Sequence, residues 1–172
     1  MTLSHKNVVH RFLYSSRRND NGRSLAHEKE RVARSAKNNH TAKTVLFIDD
    51  EESILEIRRL IFESLGYSVL TAISGEEALK TIELHPVDAV DAVVLDYLMP
   101  GMDGEETARC IRKLRSDVPI ILSSGCLTLP ERVLEVVTIA IEKAAGPEAL
   151  IEALEQQLHP SPDPASNGDG QA

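Results

Sequence analysis

Short apolar runs alternate with longer amphipathic segments between residues 43 and 159. The runs are continuously apolar, which is typical of strands in a parallel sheet whose two faces are both buried. Their alternation with helical segments indicates βα units. We therefore predict an α/β fold with five strands and five helices around a parallel sheet. The runs span residues 45–48, 68–71, 92–95, 120–122 and 138–141.

The helical segments are recognised by their apolar spacing and by residues that begin or end helices. A stripe of Ile54, Ile57, Ile61 and Leu65 stops at Gly66, a natural C-terminal cap. Three later segments follow a capping residue that has a glutamate three positions on, and Gly146-Pro147 opens the last one. The three capping pairs are Ser74 with Glu77, Asp103 with Glu106, and Thr128 with Glu131. The core-facing residues predicted after these caps are Ala78, Leu79, Ile82, Ala108, Ile111, Leu114, Leu134, Val137, Leu150, Leu154 and Leu158.

Two segments fit this pattern less well. Residues 87–93 repeat Val-Asp-Ala in tandem, as if three residues were inserted before the third strand. Because three is odd, an insertion within the strand would exchange its two faces, so we expect the preceding loop to absorb it. Residues 129–145 contain no glycine, and their apolar positions also fit one helical face. Periodicity therefore leaves open whether 138–142 is strand or helix.

Polar residues follow the predicted strands at their carboxyl ends, where open parallel sheets bind ligands. If the strand order is 2-1-3-4-5, these residues converge on one edge of the sheet. They are Asp49-Asp50 after the first strand, Asp96 after the third, Ser123-Ser124 after the fourth and Glu142-Lys143 after the fifth.

Three carboxylates at one edge repel each other by roughly 1 to 4 kcal/mol per pair at separations of about 4 to 6 Å. A hard cation relieves this repulsion, and Mg²⁺ is suited because it binds carboxylates, water and phosphate. With the ion bound, one carboxylate could act as a nucleophile towards a phosphoryl group. Lys143 could then neutralise phosphoryl oxygens, and Ser124 could hydrogen-bond one of them.

Composition and charge indicate a globular protein and argue against one class of nucleic-acid-binding protein. Hydrophobic residues make up 42% and charged residues 27%, which is ordinary for a globular protein, whereas aromatic residues make up only 3%. This scarcity argues against an aromatic platform for single-stranded nucleic acid. The net charge of -8 is uneven, with +6 on residues 1–42 and -12 on 43–159. We predict a disordered basic arm over 1–42, one folded domain over 43–159 and a disordered tail over 160–172.

The cysteines and the hydropathy pattern indicate where the protein works. Cys110 and Cys126 are too few for a disulfide framework, which favours a reducing compartment. No apolar stretch is long enough to span a bilayer, so we predict a cytoplasmic protein without membrane contact. The basic arm would attract nucleic acid non-specifically, but it lacks a recognisable helix-turn-helix, and nucleic acid is not a predicted partner.

Three stretches carry a resemblance to a known family. Residues 45–52, VLFIDDEE, and 91–104, DAVVLDYLMPGMDG, resemble the bacterial response regulator receiver domain, the phosphoacceptor module of two-component signalling. The second stretch matches every fixed position of the family's D-x-x-M-P-x-M-D-G loop. Residues 118–125, VPIILSSG, resemble its fourth strand with the switch hydroxyl. The resemblance implies a doubly wound five-stranded sheet of flavodoxin-like order 2-1-3-4-5, with helices on both faces.

The resemblance also implies a function and a set of site residues. One aspartate is expected to take a phosphoryl group from a sensor histidine kinase or phosphotransfer protein with the help of Mg²⁺. A downstream protein target would then recognise the modified state. The implied residues are the phosphoacceptor Asp96, the metal ligands Asp49, Asp50, Asp96 and the Leu98 backbone carbonyl, the switch hydroxyl Ser124 and the phosphate-binding Lys143.

The sequence departs from the family pattern near Lys143. Ala144 follows it where the family usually has a cis proline, so we expect a trans peptide bond and an altered loop. Ala140 stands where the family often has an aromatic residue that moves with the switch hydroxyl, and the span from Ser124 to Lys143 is shorter than usual. Two hypotheses follow: a phosphoacceptor switch, or a degenerate receiver that binds its partners constitutively.

Neither hypothesis makes the chain an enzyme. A hydrolase of the aspartyl-phosphate type needs a second catalytic acid two residues after the nucleophile, and position 98 is leucine. Only a short tail follows the last predicted helix, so we expect a switch without its own output domain.

Overall fold

The apolar runs form the strands of one parallel sheet in a computed structural model that describes residues 42–86, 89–125 and 128–159. The strands are β1 (Thr44–Ile48), β2 (Ser68–Ala72), β3 (Ala92–Asp96), β4 (Ile120–Ser124) and β5 (Ile139–Glu142). Their order is β2-β1-β3-β4-β5, and every neighbouring pair is parallel. The predicted fold and strand order are confirmed.

Five α-helices occur in the described ranges, one after each strand. They are α1 (Glu52–Ser64), α2 (Gly75–Leu84), α3 (Gly104–Leu114), α4 (Glu131–Leu134) and α5 (Gly146–Leu158), and a 3₁₀ turn (Lys143–Ala145) precedes α5. Two of the predicted caps are present, because the amide of Glu77 donates to Ser74 Oγ at 3.2 Å and that of Glu106 to Asp103 Oδ1 at 2.8 Å.

The third predicted cap is wrong. Helix α4 begins after Pro130, has no side-chain cap and lasts only four residues. Leu129 precedes that proline, and the proline ring disfavours helical dihedrals at the residue before it. The helix therefore cannot start at Thr128 as the pairing with Glu131 predicted.

Two apolar cores lie on opposite faces of the sheet, as alternating residues of each strand point to opposite sides. The first contains Leu46, Leu95 and Leu122 with residues from α2, α3 and α4. The second contains Phe47 and Val94 with residues from α1 and α5. Helices therefore cover both faces, which explains why the strand sequences are continuously apolar.

The predicted inward face of α1 is partly wrong. Ile57 is 57% exposed, whereas Leu55 and Phe62 are buried. Phe62 packs on Phe47 with ring centroids 4.9 Å apart, and burial of this large aromatic side chain sets the rotation of the helix. Leu114 on α3, also predicted to face inward, is exposed as well.

The two ambiguous segments are settled within the described residues. Residues 139–142 form a strand beside β4, with Ile121 opposite Ile139. Strand β3 begins at Ala92 opposite Val45, so Ala89, Val90 and Asp91 precede the strand as predicted for the tandem repeat.

The parts of the chain outside the described residues are 1–41, Val87, Asp88, Cys126, Leu127 and 160–172. They include all but the last residue of the predicted arm and the whole predicted tail. The disorder predicted for the arm and the tail therefore stays a prediction. None of the described helices has the length and apolar character needed to cross a membrane.

Candidate functional site

Three aspartates meet at the carboxyl edge of the sheet. Asp49 follows β1, and Asp96 is the last residue of β3. The parallel pairing of Ile48 with Leu95 brings the ends of these strands side by side. Oxygens of Asp49, Asp50 and Asp96 lie within 4.8 Å of one another, and the first and last of these residues are buried. The predicted convergence of the carboxylates is confirmed.

Lys143 reaches this cluster from the other side of β4. Its Nζ lies 2.9 Å from Asp96 Oδ2 and 3.4 Å from Asp49 Oδ2. The residue begins the 3₁₀ turn after β5, which leads into α5 through Gly146 at a φ of +83°. All described peptide bonds are trans, as predicted for the bond from Lys143 to Ala144. The lysine thus reaches the acidic cluster without a following proline.

The pKa values of Asp96 and Lys143 are both raised above their ordinary values. Burial raises the pKa of the Asp96 carboxyl above its ordinary value, and Asp49 adds to this rise, although Lys143 and the Leu98 amide oppose it. Burial alone would lower the pKa of Lys143, but its contacts with Asp96 and Asp49 outweigh that effect and raise it. The lysine is therefore firmly protonated and serves as a fixed positive charge beside Asp96.

Arg58 is a site residue that the sequence analysis missed. Its Nη1 lies 3.2 Å from Asp49 Oδ2, and its guanidinium carbon is 5.9 Å from the centroid of the Phe47 ring. Only 12% of the side chain is exposed. A signal was present in the sequence, because position 58 lies three residues after Leu55 and four before Phe62 on one helical face. An arginine on an inward face needs a charged partner.

Ser124 and Leu98 lie beside the carboxylates. Ser124 ends β4, is buried, and is paired in register with Glu142, the residue before Lys143. The Leu98 amide donates to the Asp96 carboxylate, which places the backbone of Leu98 at the cluster. The metal-binding role of the Leu98 carbonyl and the switch role of Ser124 stay predictions.

Close packing fixes the loop after Asp96. The amide of Gly104 donates to the Tyr97 carbonyl at 2.9 Å. A Cβ on Gly104 would lie 2.5 Å from the Asp96 carbonyl oxygen and 2.7 Å from Tyr97 Cα. Only glycine therefore lets the first turn of α3 approach the backbone of Asp96 this closely.

The comparisons with known proteins agree with this geometry. Residues 45–155 match the response regulator receiver domain family. The chain belongs to this family. The receiver domain is 43% identical over 102 residues to a probable transcriptional regulator, ycf27, of Cyanidium caldarium, an alignment that covers 59% of this chain and 38% of that protein.

Solved receiver structures are also similar. The response regulator TrrA of Thermotoga maritima, solved in complex with Mg²⁺ and BeF, is 32% identical with a TM-score of 0.62, covering 67% of this chain and 99% of that one. The chemotaxis protein CheY4 of Vibrio cholerae is 28% identical with a TM-score of 0.61, covering 69% of this chain and 100% of that one.

The curated relatives are longer proteins. Aligned residues make up between 27% and 46% of the length of the first relatives. Several of those relatives are transcriptional regulators. The chain therefore spans less than half the length of the first curated relatives that it matches.

The donor set of the receiver domain suits Mg²⁺. The three clustered side chains offer only carboxylate oxygens, which are the hard ligands that this ion prefers. Asp50 is exposed, so one side of the cluster is open to water, and Mg²⁺ usually keeps several water ligands. The residues present fit the ion.

Proposed function

We propose that this receiver domain is a Mg²⁺-dependent phosphoacceptor switch that is modified on Asp96. The observation that carries the proposal is the contact of one buried carboxylate with both a fixed lysine and two further carboxylates. Asp96 lies 2.9 Å from Lys143 Nζ and shares the cluster with Asp49 and Asp50. A nucleophile, a cation for phosphoryl oxygens and a metal donor set thus occur at one place.

In the proposed reaction an Asp96 carboxylate oxygen attacks the phosphorus of a phosphohistidine. The new P–O bond forms while the P–N bond breaks, and the electron pair of that bond stays on the imidazole nitrogen of the donor. Bound Mg²⁺ would offset the negative charge that accumulates as the two anionic groups approach each other. Lys143 would hold a phosphoryl oxygen as a point charge, and the Ser124 hydroxyl would donate to another.

The partners follow from the same chemistry. The phosphoryl donor would be a sensor histidine kinase or a phosphotransfer protein, and a downstream protein would bind the modified form. We propose no turnover on small phosphoesters, because Leu98 has no acidic group to activate water two residues after Asp96. The lack of an output domain stays a prediction, since the curated relatives are longer.

The test uses acetyl phosphate as a small phosphoryl donor. Wild-type protein with Mg²⁺ is expected to gain the mass of one phosphoryl group, measured by intact-protein mass spectrometry. Asp96→Asn is expected to gain none, and EDTA should abolish the gain in the wild type. Asp117→Asn is the matched control, because Asp117 is exposed and lies in the turn between α3 and β4. Equal modification of the Asp96 variant would refute the assignment.

A second candidate function is constitutive partner binding without phosphorylation. Two observations favour it: Ala140 is a small buried residue on β5, and α4 consists of a single helical turn. This candidate predicts no Asp96-dependent mass gain. It also predicts no Mg²⁺-dependent NMR shift on addition of beryllofluoride, a phosphoryl mimic.

A further inference from the structure

Arg58 makes a contact that the proposed phosphotransfer does not use. Its Nη1 approaches Asp49 Oδ2 at 3.2 Å but, among the described residues, it has no partner in hydrogen-bonding geometry. Arg58 and Asp49 are thus attracted by their opposite charges in a buried environment, without an aligned hydrogen bond between them. Burial lowers the pKa of Arg58, and the nearby Asp49 and Asp96 oppose this effect.

Both oxygens of Asp49 are already engaged by other groups. Oδ1 accepts from the Glu51 amide at 3.2 Å, and Oδ2 contacts both Arg58 and Lys143. Asp49 is fully buried, so water cannot substitute for these partners. A divalent ion that takes an oxygen of Asp49 must therefore share that oxygen with these groups or displace one of them.

The net charge of the cluster also indicates that Arg58 opposes metal binding. Three carboxylates face two cations of the chain, Lys143 and Arg58, which leaves one formal negative charge. Without Arg58 two negative charges would remain, and the attraction for a divalent ion would be stronger. The lysine takes part in the proposed phosphoryl chemistry, whereas the arginine, within the described residues, forms an ion pair only with the metal ligand Asp49.

We propose that Arg58 is a resident counter-ion that competes with Mg²⁺ for Asp49 and so weakens metal binding to the unmodified protein. The proposal rests on the metal site of the proposed function. Arg58 acts through Asp49 as a positioning residue, because it stabilises the metal-free arrangement of the cluster. Its removal should therefore tighten metal binding while it destabilises the metal-free protein.

The test compares Mg²⁺ affinities by isothermal titration calorimetry. Arg58→Met keeps much of the aliphatic length of the side chain over Phe47 but removes the charge, and we expect its Kd for Mg²⁺ to fall about 3- to 10-fold. Arg58→Lys keeps a charge and should stay closer to the wild type. Arg59→Met is the matched control, because Arg59 is the adjacent residue on α1, is exposed and donates to Thr71 Oγ1 at 2.7 Å. Its Kd should change by less than about twofold.

Thermal unfolding gives a second readout. In EDTA, Arg58→Met should melt below the wild type, and saturating Mg²⁺ should raise its Tm by more than it raises that of the wild type. If the Met variant does not fold in EDTA, Arg58→Gln provides the same comparison with a polar head group.

The outcomes separate this inference from the proposed function. An unchanged or weaker Mg²⁺ affinity in the charge-removing variants would overturn the role of Arg58, even if wild-type Asp96 is phosphorylated. Tighter binding in Arg58→Met, with no phosphorylation of the wild type, would support the counter-ion and refute the phosphoacceptor. Binding by the variant alone would also support the counter-ion, whereas binding by neither protein would overturn it.

Discussion

Lys143 Nζ lies 2.9 Å from Asp96 Oδ2, although β5, which Lys143 follows, and β3, which Asp96 ends, are not neighbours in the sheet. Lys143 follows β5 and Asp96 ends β3, so the lysine side chain crosses the end of β4, where Ser124 lies. This ion pair links the carboxyl ends of β3 and β5 across β4. It also places a positive charge where a phosphoryl group on Asp96 would be held.

Lys143→Met should change the alkaline stability of the metal-free protein. The pKa of Lys143 is raised in the folded state, so its stabilising effect is complete below its ordinary value of 10.5 and is lost as the pH rises through the folded pKa. The difference in free energy of unfolding between wild type and variant should therefore shrink above that pH. Urea unfolding between about pH 9 and 12 in EDTA measures it. Lys80→Met, at an exposed position on α2, is the control, and a constant difference for Lys143→Met would contradict the prediction.

Asp96→Asn should stabilise the protein when no metal is present. Because burial raises the pKa of Asp96, the ionised carboxylate is less favourable in the folded than in the unfolded state at neutral pH. The amide removes that cost, and we expect the Tm in EDTA to rise by a few degrees. The gain should shrink as the pH falls through the folded pKa of Asp96, since protonation removes the same cost in the wild type. Differential scanning calorimetry from pH 7 down to about pH 4 measures both effects, and an Asp96→Asn protein that melts lower at neutral pH would contradict them.

The fold and the carboxylate cluster could be predicted because their signals are local. Each buried strand is a continuous apolar run, and Asp49 and Asp96 stand at strand ends, where parallel topology collects side chains. The trans peptide after Lys143 followed from the absence of proline. The convergence of the strand ends also required the strand order 2-1-3-4-5, which the family resemblance implied.

Arg58 and α4 could not be predicted in this way. Helix α1 has two overlapping apolar stripes, and spacing alone favoured Ile57 over Leu55 and Phe62 as inward residues. Packing of Phe62 on Phe47 decided between them and turned Arg58 towards Asp49. The start of α4 depends on the proline at 130, whose local effect outweighed the capping pattern of Thr128 and Glu131.

Gly104→Ala should destabilise the receiver domain and displace the loop after Asp96. The added Cβ would meet backbone atoms of Asp96 and Tyr97 at 2.5 and 2.7 Å, and backbone cannot move aside as a flexible side chain can. We expect a loss of about 1–3 kcal/mol in the free energy of unfolding, as for other overpacked sites. Gly125→Ala is the control, since its Cβ would meet nothing within 4 Å. Chemical denaturation measures both, and equal stabilities would contradict the close approach.

Arg112→Met should destabilise the connection between α3 and β5. Arg112 donates to the Val136, Ser116 and Val118 carbonyls and to Thr138 Oγ1, and thereby joins α3 to the residues on either side of β4. These charge-assisted hydrogen bonds hold the segment that follows α4. Helix α4 is a single turn, so it contributes little packing to that segment. We expect a loss of about 2–4 kcal/mol in the free energy of unfolding, because three carbonyls lose a donor together.

The location of that loss can be measured by hydrogen exchange. Amides of residues 136–142 should exchange faster in Arg112→Met, whereas those of β1 should follow global unfolding alone. Lys113→Met is the matched control, because Lys113 is the adjacent cation on α3 and is exposed. A loss below about 0.5 kcal/mol in Arg112→Met would show that β5 is held in place without a contribution from Arg112. The position of Lys143 beside Asp96 would then not depend on α3, because β5 carries the lysine to the cluster.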